Sequence, residues 1–185
     1  MSAIYLVRHA HADWTPDENR PLSDSGSEDA ARVANILCEY PIRAVYSSPS
    51  RRACQTISHL SERLGLSINI EPDLQERRLG DGVFDDFFKA VEVTWRDPSF
   101  AHPGGESSIA AQRRGIAVVE RLSEQHPAGH IVVSTHGNLL ALILQAFDPS
   151  VDFMFWKSLS MPDVYKLNIS HSGKAFIQRL WQAEL

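Results

Sequence analysis

Short unbroken apolar runs alternate along this chain with longer stretches whose apolar residues recur every three or four positions. Ile4-Tyr5-Leu6-Val7 is the first run, aliphatic and β-branched, and it predicts a buried strand over Ile4–Arg8. Ala44–Ser47, Ile68–Glu71 and Ile131–Thr135 read the same way. Between them, Ala30, Val33, Ala34 and Leu37 fall at helical spacing after Ser23, a residue suited to start a helix. Pro49 stands near the first turn of a second helix running to about Leu64. Glu106–Gln125 sets Ile109, Ile116, Val119 and Leu122 on one stripe, and Pro127 ends it. Asn138–Gln145 reads as a buried helix. Val164–Ile169 and Phe176–Trp181 flank Ser170-His171-Ser172-Gly173-Lys174, where the glycine predicts a hairpin. Alternating strands and helices predict an α/β fold: a three-layer α/β/α sandwich on a mostly parallel sheet with an antiparallel edge strand.

Composition narrows the class. At 185 residues, 43% hydrophobic and 22% charged, the chain reads as one globular domain over 1–185. A net charge of -5 argues against nucleic acid or an anionic membrane as partner. No apolar stretch is long enough to span a bilayer. Met1-Ser2-Ala3 runs straight into the first strand without signal-peptide features. Cys38 and Cys54 lack CxxC company, so neither a disulfide scaffold nor a metal site is expected, and a cytoplasmic location is. The least regular stretch, 79–105, holds Phe84, Phe87, Phe88, Trp95 and Phe100. It reads as a short insertion covering a site, or as an ordinary helix burying its aromatics. In the first case its rings favour an apolar or aromatic leaving group. Phe153, Phe155 and Trp156 then belong to the same wall or to a contact between two copies, so a homodimer stays open.

Candidate chemistry gathers at strand ends. Arg8 and His9 close the first strand, where open α/β sheets place their ligand crevices. Arg binds phosphate through parallel charge-assisted bonds, and His serves as nucleophile or acid/base near neutral pH. A solvated surface pair is the plain alternative for the dipeptide alone. His136 and Gly137 close the strand Ile131–Thr135 and open a helix whose free N–H groups suit an anion. Arg51 and Arg52 follow Ser47-Ser48-Pro49 at a helix start, against the helix dipole. Arg51 reads as exposed, Arg52 as functional. Glu76, in Leu74-Gln75-Glu76-Arg77-Arg78-Leu79-Gly80, is a candidate general acid/base.

Taken in order, these segments resemble the histidine phosphatase superfamily, which includes phosphoglycerate mutases and small phosphatases. Leu6-Val7-Arg8-His9 is similar to its opening signature, and Pro21-Leu22-Ser23-Asp24-Ser25-Gly26 to its first-helix approach. Ser47-Ser48-Pro49 with Arg52-Ala53 and Gln55-Thr56 resembles its phosphate-binding segment. Leu74-Gln75-Glu76-Arg77 resembles its acid/base segment. Pro103-Gly104-Gly105-Glu106-Ser107 and Thr135-His136-Gly137 resemble the last two. The resemblance implies a phosphoglycerate mutase-like fold and three catalytic residues: His9 as nucleophile, Glu76 as proton donor, and His136. It implies Arg8, Arg52, His136 and Gly137 as phosphate-binding residues, and neither metal nor cofactor. The chain departs from the family at Ala10, where Gly is usual, and at Ala12 and Thr15. His11 reads as solvent-exposed rather than pocket-lining.

The function so implied is hydrolysis of a small phosphorylated metabolite through a phosphohistidine intermediate. A phosphoglycerate mutase is the first alternative, but the short gap from Gly80 to Gly104 leaves water freer to reach the intermediate. A protein phosphohistidine phosphatase is the second, suggested by Arg20-Pro21-Leu22-Ser23 and opposed by Glu76. A non-catalytic phosphate-binding module is the third, opposed by retention of His9 and its cationic partners.

Overall fold

In β1 (Ser2–Arg8), Ile4 and Leu6 join the core on one face of the sheet and Tyr5 and Val7 the core on the other, and all four are fully buried. A strand dry on both sides must lie inside a sheet covered by helices twice over. The computed structural model, which describes residues 2–15, 17, 19–169 and 175–182, has that arrangement. Five further strands, β2 (Ile42–Ser47), β3 (Ile68–Ile70), β4 (His130–Thr135), β5 (Asp163–Ile169) and β6 (Ala175–Arg179), complete one sheet in the order β3-β2-β4-β1-β5-β6. Helices α1 (Asp24–Leu37) and α2 (Arg51–Leu64) pack on the Tyr5 and Val7 side. On the Ile4 and Leu6 side pack α3 (Phe87–Arg96), α4 (Ser108–Gln125), α5 (Gly137–Gln145) and α6 (Phe153–Ser158).

β3, β2, β4 and β1 run parallel. The antiparallel strand of the expected edge is β5, which pairs with both β1 and β6, so the edge itself is β6. The expected turn 170–174 lies outside the described residues. Trp181, expected in the last strand, instead lies under Arg32, with the guanidinium carbon 4.5 Å from the ring centre, and closes the core beside α1.

Two sequence expectations change. The buried face of α4 runs through Ser108, Ala111, Gly115, Val118, Val119 and Leu122, while Ile109 is 45% exposed and Ile116 only half-buried. Small residues carry the stripe because α5 comes close: a methyl added at Gly115 would stand 2.8 Å from the Ile143 side chain. The 79–105 stretch divides in two. Its first residues, through Gly82, line a cleft, whereas α3 turns Phe87 and Phe88 onto Trp156 of α6 and leaves each 52% exposed.

The chain leaves β1, crosses through α1 to β2, and returns only later to fill the gap with β4. That reversal of strand order sets the carboxyl ends of β1 and β4 side by side, with Arg8 in register with Thr135. The His9 N–H donates to the Thr135 carbonyl at 3.0 Å, so both strand-end histidines start from one point.

Candidate active site

His9 is 7% exposed, and its two ring nitrogens have distinct partners. Nδ1 lies 2.8 Å from the Ala10 carbonyl, an acceptor, so Nδ1 carries the proton. Nε2 receives the Arg52 Nε–H at 3.2 Å, and guanidinium only donates. The free lone pair of the ring is therefore on Nε2, facing Arg52. Backbone around the ring is held from α2: the Ala10 N–H donates to Thr56 Oγ1 at 2.9 Å, and Thr56 Oγ1–H donates to the Arg52 carbonyl. Ala10 is fully buried and outside the left-handed region, which accounts for a Cβ at this position. The next residue, His11, is exposed and bonds the hydroxyl of Ser23, the N-cap of α1. Gly26 is required there, since an added methyl would fall 2.0 Å from the His11 carbonyl oxygen.

Arg8 reaches back across the sheet edge. Its Nη1 donates to the Leu159 and Ser160 carbonyls at 2.8 and 3.1 Å. The turn bearing those carbonyls is held by Asp163, fully buried, which accepts from Ser160 N and takes a two-pronged pair from Arg179 at 2.8 and 2.9 Å. Arg8 Nε is buried and without a partner, so one donor of the fork is left over. Gly137 is needed beside it. Its φ lies outside the left-handed region, and an added Cβ would stand 2.9 Å from Arg8 Nε, so the glycine serves a close approach.

Arg52 and His136 complete the cluster. His136 is 1% exposed, and its ring centre lies 5.1 Å from that of His9. Arg52 Nη2 stands 3.3 Å from His136 Nδ1, so one guanidinium bridges both imidazoles. On the far side, His136 Nε2 lies 2.8 Å from Ser48 Oγ. Arg51 is exposed, as the sequence suggests.

Glu76 comes from the segment after β3. Its carboxylate accepts from Asn138 N at 3.0 Å, Leu139 N at 2.9 Å and Arg77 N at 2.9 Å. It thus occupies part of the α5 N-terminus that the sequence reserved for phosphate. An anion entering without displacing it meets the Gly137 end. Arg77 behind it is buried and bonds the neutral hydroxyls of Thr94 and Ser108. A cleft of about 730 Å³ opens from Arg52 and Glu76 toward Arg20, Ser50, Gln75 and Arg78. This polar wall gives no support to an apolar leaving group. The Pro103-Gly104-Gly105 segment shapes its rim. Glu106 N–H donates to the Arg78 carbonyl, and a Cβ on Gly105 would fall 2.3 Å from the Leu79 carbonyl oxygen.

The cluster is buried and ringed by cations. Burial chiefly, then the charges of Arg52, Arg8 and Arg20, pushes His9 down to about 3 against the pull of the Ala10 carbonyl. Burial, with the His9 and Arg52 charges, holds His136 well below the usual histidine range. Both rings stay neutral in the fold while histidines of an unfolded chain take up protons near pH 6.5. The unfolded state then binds more protons, so stability falls as pH drops from about 6.5 toward 3. Urea midpoints measured at pH 7.5, 6 and 5 are expected to fall, with His9→Asn showing the shallower dependence. Equal slopes in both proteins would contradict the burial of a neutral ring.

Of the five sequence-predicted side chains, Arg52 and Glu76 line the cleft, His9 and His136 meet Arg52, and Arg8 lies beside Gly137. Arg20, Ser48 and Thr56 were not singled out. Arg20 lines the cleft with a buried, unpartnered Nε, and only its place before Pro21-Leu22 hinted at it.

Known proteins similar to the chain place its family and its fold. The sequence model of the histidine phosphatase superfamily (branch 1) matches residues 4–182. The chain is similar to phosphoglycerate mutase-like protein 4 of Arabidopsis thaliana, 30% identical over 80% of this chain and 71% of that one. It is also similar to glucosyl-3-phosphoglycerate phosphatase of Mycolicibacterium vanbaalenii, 29% identical over 77% and 72%. Among solved structures, a mycobacterial glucosyl-3-phosphoglycerate phosphatase with VO3 superposes with a TM-score of 0.79 at 26% identity, covering 98% of this chain and 99% of that one. By its sequence match across the sheet and by its fold, the chain belongs to branch 1 of the histidine phosphatase superfamily.

Proposed function

We propose that the chain hydrolyses a small phosphorylated metabolite through a phosphohistidine formed on His9. The observation that carries this is the pairing at His9: Nδ1–H is fixed on the Ala10 carbonyl, and the Nε2 lone pair faces a guanidinium able to bind the attacked group. In this reading the phosphoryl oxygens take the Arg52 fork and the leftover Arg8 Nε–H. Arg52 shifts from His9 to the ligand, and Nε2 is freed to attack phosphorus in line. The P–O bond to the leaving group breaks as the N–P bond forms, and Glu76, once it has taken up a proton from solvent or from a monoanionic ester, gives that proton to the departing oxygen. A water then attacks phosphohistidine, loses its proton to Glu76, and releases phosphate with His9 restored. Two arginines and His136 spread the charge of the transferring group in a water-poor site. A cytoplasmic metabolite suits the polar cleft, and relatives named for glucosyl-3-phosphoglycerate and phosphoserine hydrolysis support an ester of this size.

Phosphate release from p-nitrophenyl phosphate, without added metal and between pH 5 and 7.5, is the test. No release by the pure protein would overturn the proposal, as would 3-phosphoglycerate mutase turnover far above hydrolysis. Glu76→Gln is expected to lower hydrolysis of an alkyl ester such as glycerol 2-phosphate by about 100-fold. The loss on p-nitrophenyl phosphate should be smaller, because that leaving group needs less proton help. Equal rates for Glu76→Gln and the unaltered protein on the alkyl ester would remove Glu76 from the acid role.

A further inference from the structure

We propose that Ser48 is a positioning residue that fixes the tautomer and the angle of the His136 ring, so that Nδ1 alone faces the phosphoryl group. This rests on the phosphohydrolase reading above and concerns how its site is held.

The argument follows from donors and acceptors. Arg52 Nη2, 3.3 Å from His136 Nδ1, has only hydrogens to offer, so Nδ1 holds a lone pair in the ligand-free site. A neutral ring then carries its proton on Nε2, and that proton needs an acceptor at full burial. Ser48 Oγ, fully buried and 2.8 Å away, is that acceptor. Ser48 itself is tightly placed. It directly follows the strand β2, its N–H donates to the Ser134 carbonyl of β4, and its carbonyl accepts from Ser47 Oγ and Cys54 Sγ. The backbone is thus fixed from the sheet, the Ser50 N–H donates to the hydroxyl at 3.3 Å, and the ring is held by that hydroxyl.

A phosphoryl oxygen accepts hydrogen bonds and donates none when ionised. To bond one, the site-facing Nδ1 must gain a proton, drawn from solvent or from a monoanionic ester. The Nε2–H stays on Ser48 throughout, so the ring becomes imidazolium without turning. Around His136 in this change are His9 just after β1, Arg52 from α2, Arg114 from α4 and Arg20 from the segment before α1, with Arg8 beside Gly137 and the Glu76 carboxylate on the N–H groups of Asn138 and Leu139. The arginines and His9 oppose the added proton; Glu76 and the incoming dianion favour it. With an alanine at position 48, Nε2–H loses its partner. The other tautomer then becomes as good, and Nδ1–H would point at Arg52.

Nitrogen-15 imidazole spectra of the unaltered protein test this directly. The ligand-free ring is expected as the Nε2–H tautomer, and as imidazolium with inorganic phosphate bound. A ligand-free Nδ1–H tautomer overturns the proposal, whether or not the protein hydrolyses any ester. In kinetics, Ser48→Ala is expected to lower kcat by about tenfold or more with little change in KM, the scale seen for partners that orient a working histidine. Its acid limb should also move. Ser48→Thr, which keeps the hydroxyl, should recover most of the rate. Unchanged kcat in Ser48→Ala, or no recovery in Ser48→Thr, sinks the positioning role. If Ser48→Ala fails to fold, the spectra of the unaltered protein still decide. Absence of hydrolysis by the unaltered protein counts against the function, not against the tautomer.

Discussion

His9→Ala is expected to reduce phosphate release by at least 10⁴-fold, with circular dichroism and thermal midpoint showing an intact fold. Removing a nucleophile that forms a covalent intermediate costs on that order because the remaining groups cannot split the reaction into two steps. The fold should survive because His9 lies just past β1, and the residues of that strand carry the core. Loss of a buried ring with a poor proton affinity also lightens the acid penalty, so the variant should gain relative stability below pH 6. A second readout follows from the chemistry. Rapid acid-free quenching during turnover should trap phosphate on the unaltered protein as a base-stable, acid-labile adduct, and none on His9→Ala. An adduct of equal yield on the variant would put the nucleophile elsewhere.

Arg52→Ala is expected to lower kcat/KM by about 10³-fold, the range found when a guanidinium on a transferring phosphoryl group is removed. Arg52→Lys should recover little. An ammonium donates from one nitrogen and cannot offer two parallel bonds from separate atoms, nor bridge His9 Nε2 and His136 Nδ1 as the fork does. The effect should divide between kcat and KM, since this guanidinium binds the ground state and neutralises charge as the bond breaks. Arg52 is also a named cause of the low proton affinity of both histidines. In Arg52→Ala the two rings should therefore titrate higher, visible by proton resonance. A variant with unchanged titration and near-normal rate would mean that Arg52 is a surface-facing structural residue after all.

Strand-scale features were legible because β1 and β4 are continuous aliphatic runs, and their ends marked themselves with Arg8-His9 and His136-Gly137. Where burial depends on small residues, the pattern misled. The inner face of α4 passes through Ala111 and Gly115, and a search for large apolar residues chose Ile109 instead. The phosphate ligands could be named from residue type, but not what holds them. Arg8 leans on carbonyls about 150 positions away, and nothing in Leu159-Ser160 advertises that. Arg77 shows the same limit from the other side: an arginine in sequence, it is buried on two hydroxyls from α3 and α4. Gln55 and Thr56 belonged to a recognised segment, yet their work is mechanical. One holds the Leu22 N–H and the other the Ala10 N–H, tying the first loop to α2. Aromatics near the cleft suggested an apolar partner, but the nearest wall is arginine, glutamine and serine because α3 rolls its rings onto α6.

The contact between Arg52 and the nucleophile bears on chemical fidelity. An electrophile without charge, such as a carboxylic ester or an aldehyde, competes for the guanidinium with a neutral carbonyl oxygen alone, and so it finds the reactive nitrogen more firmly engaged. An ionised phosphoryl group carries with it the means of drawing that guard away. Discrimination between acyl and phosphoryl donors is thus built into the contact of Arg52 with His9, before any pocket has measured the size of the substrate.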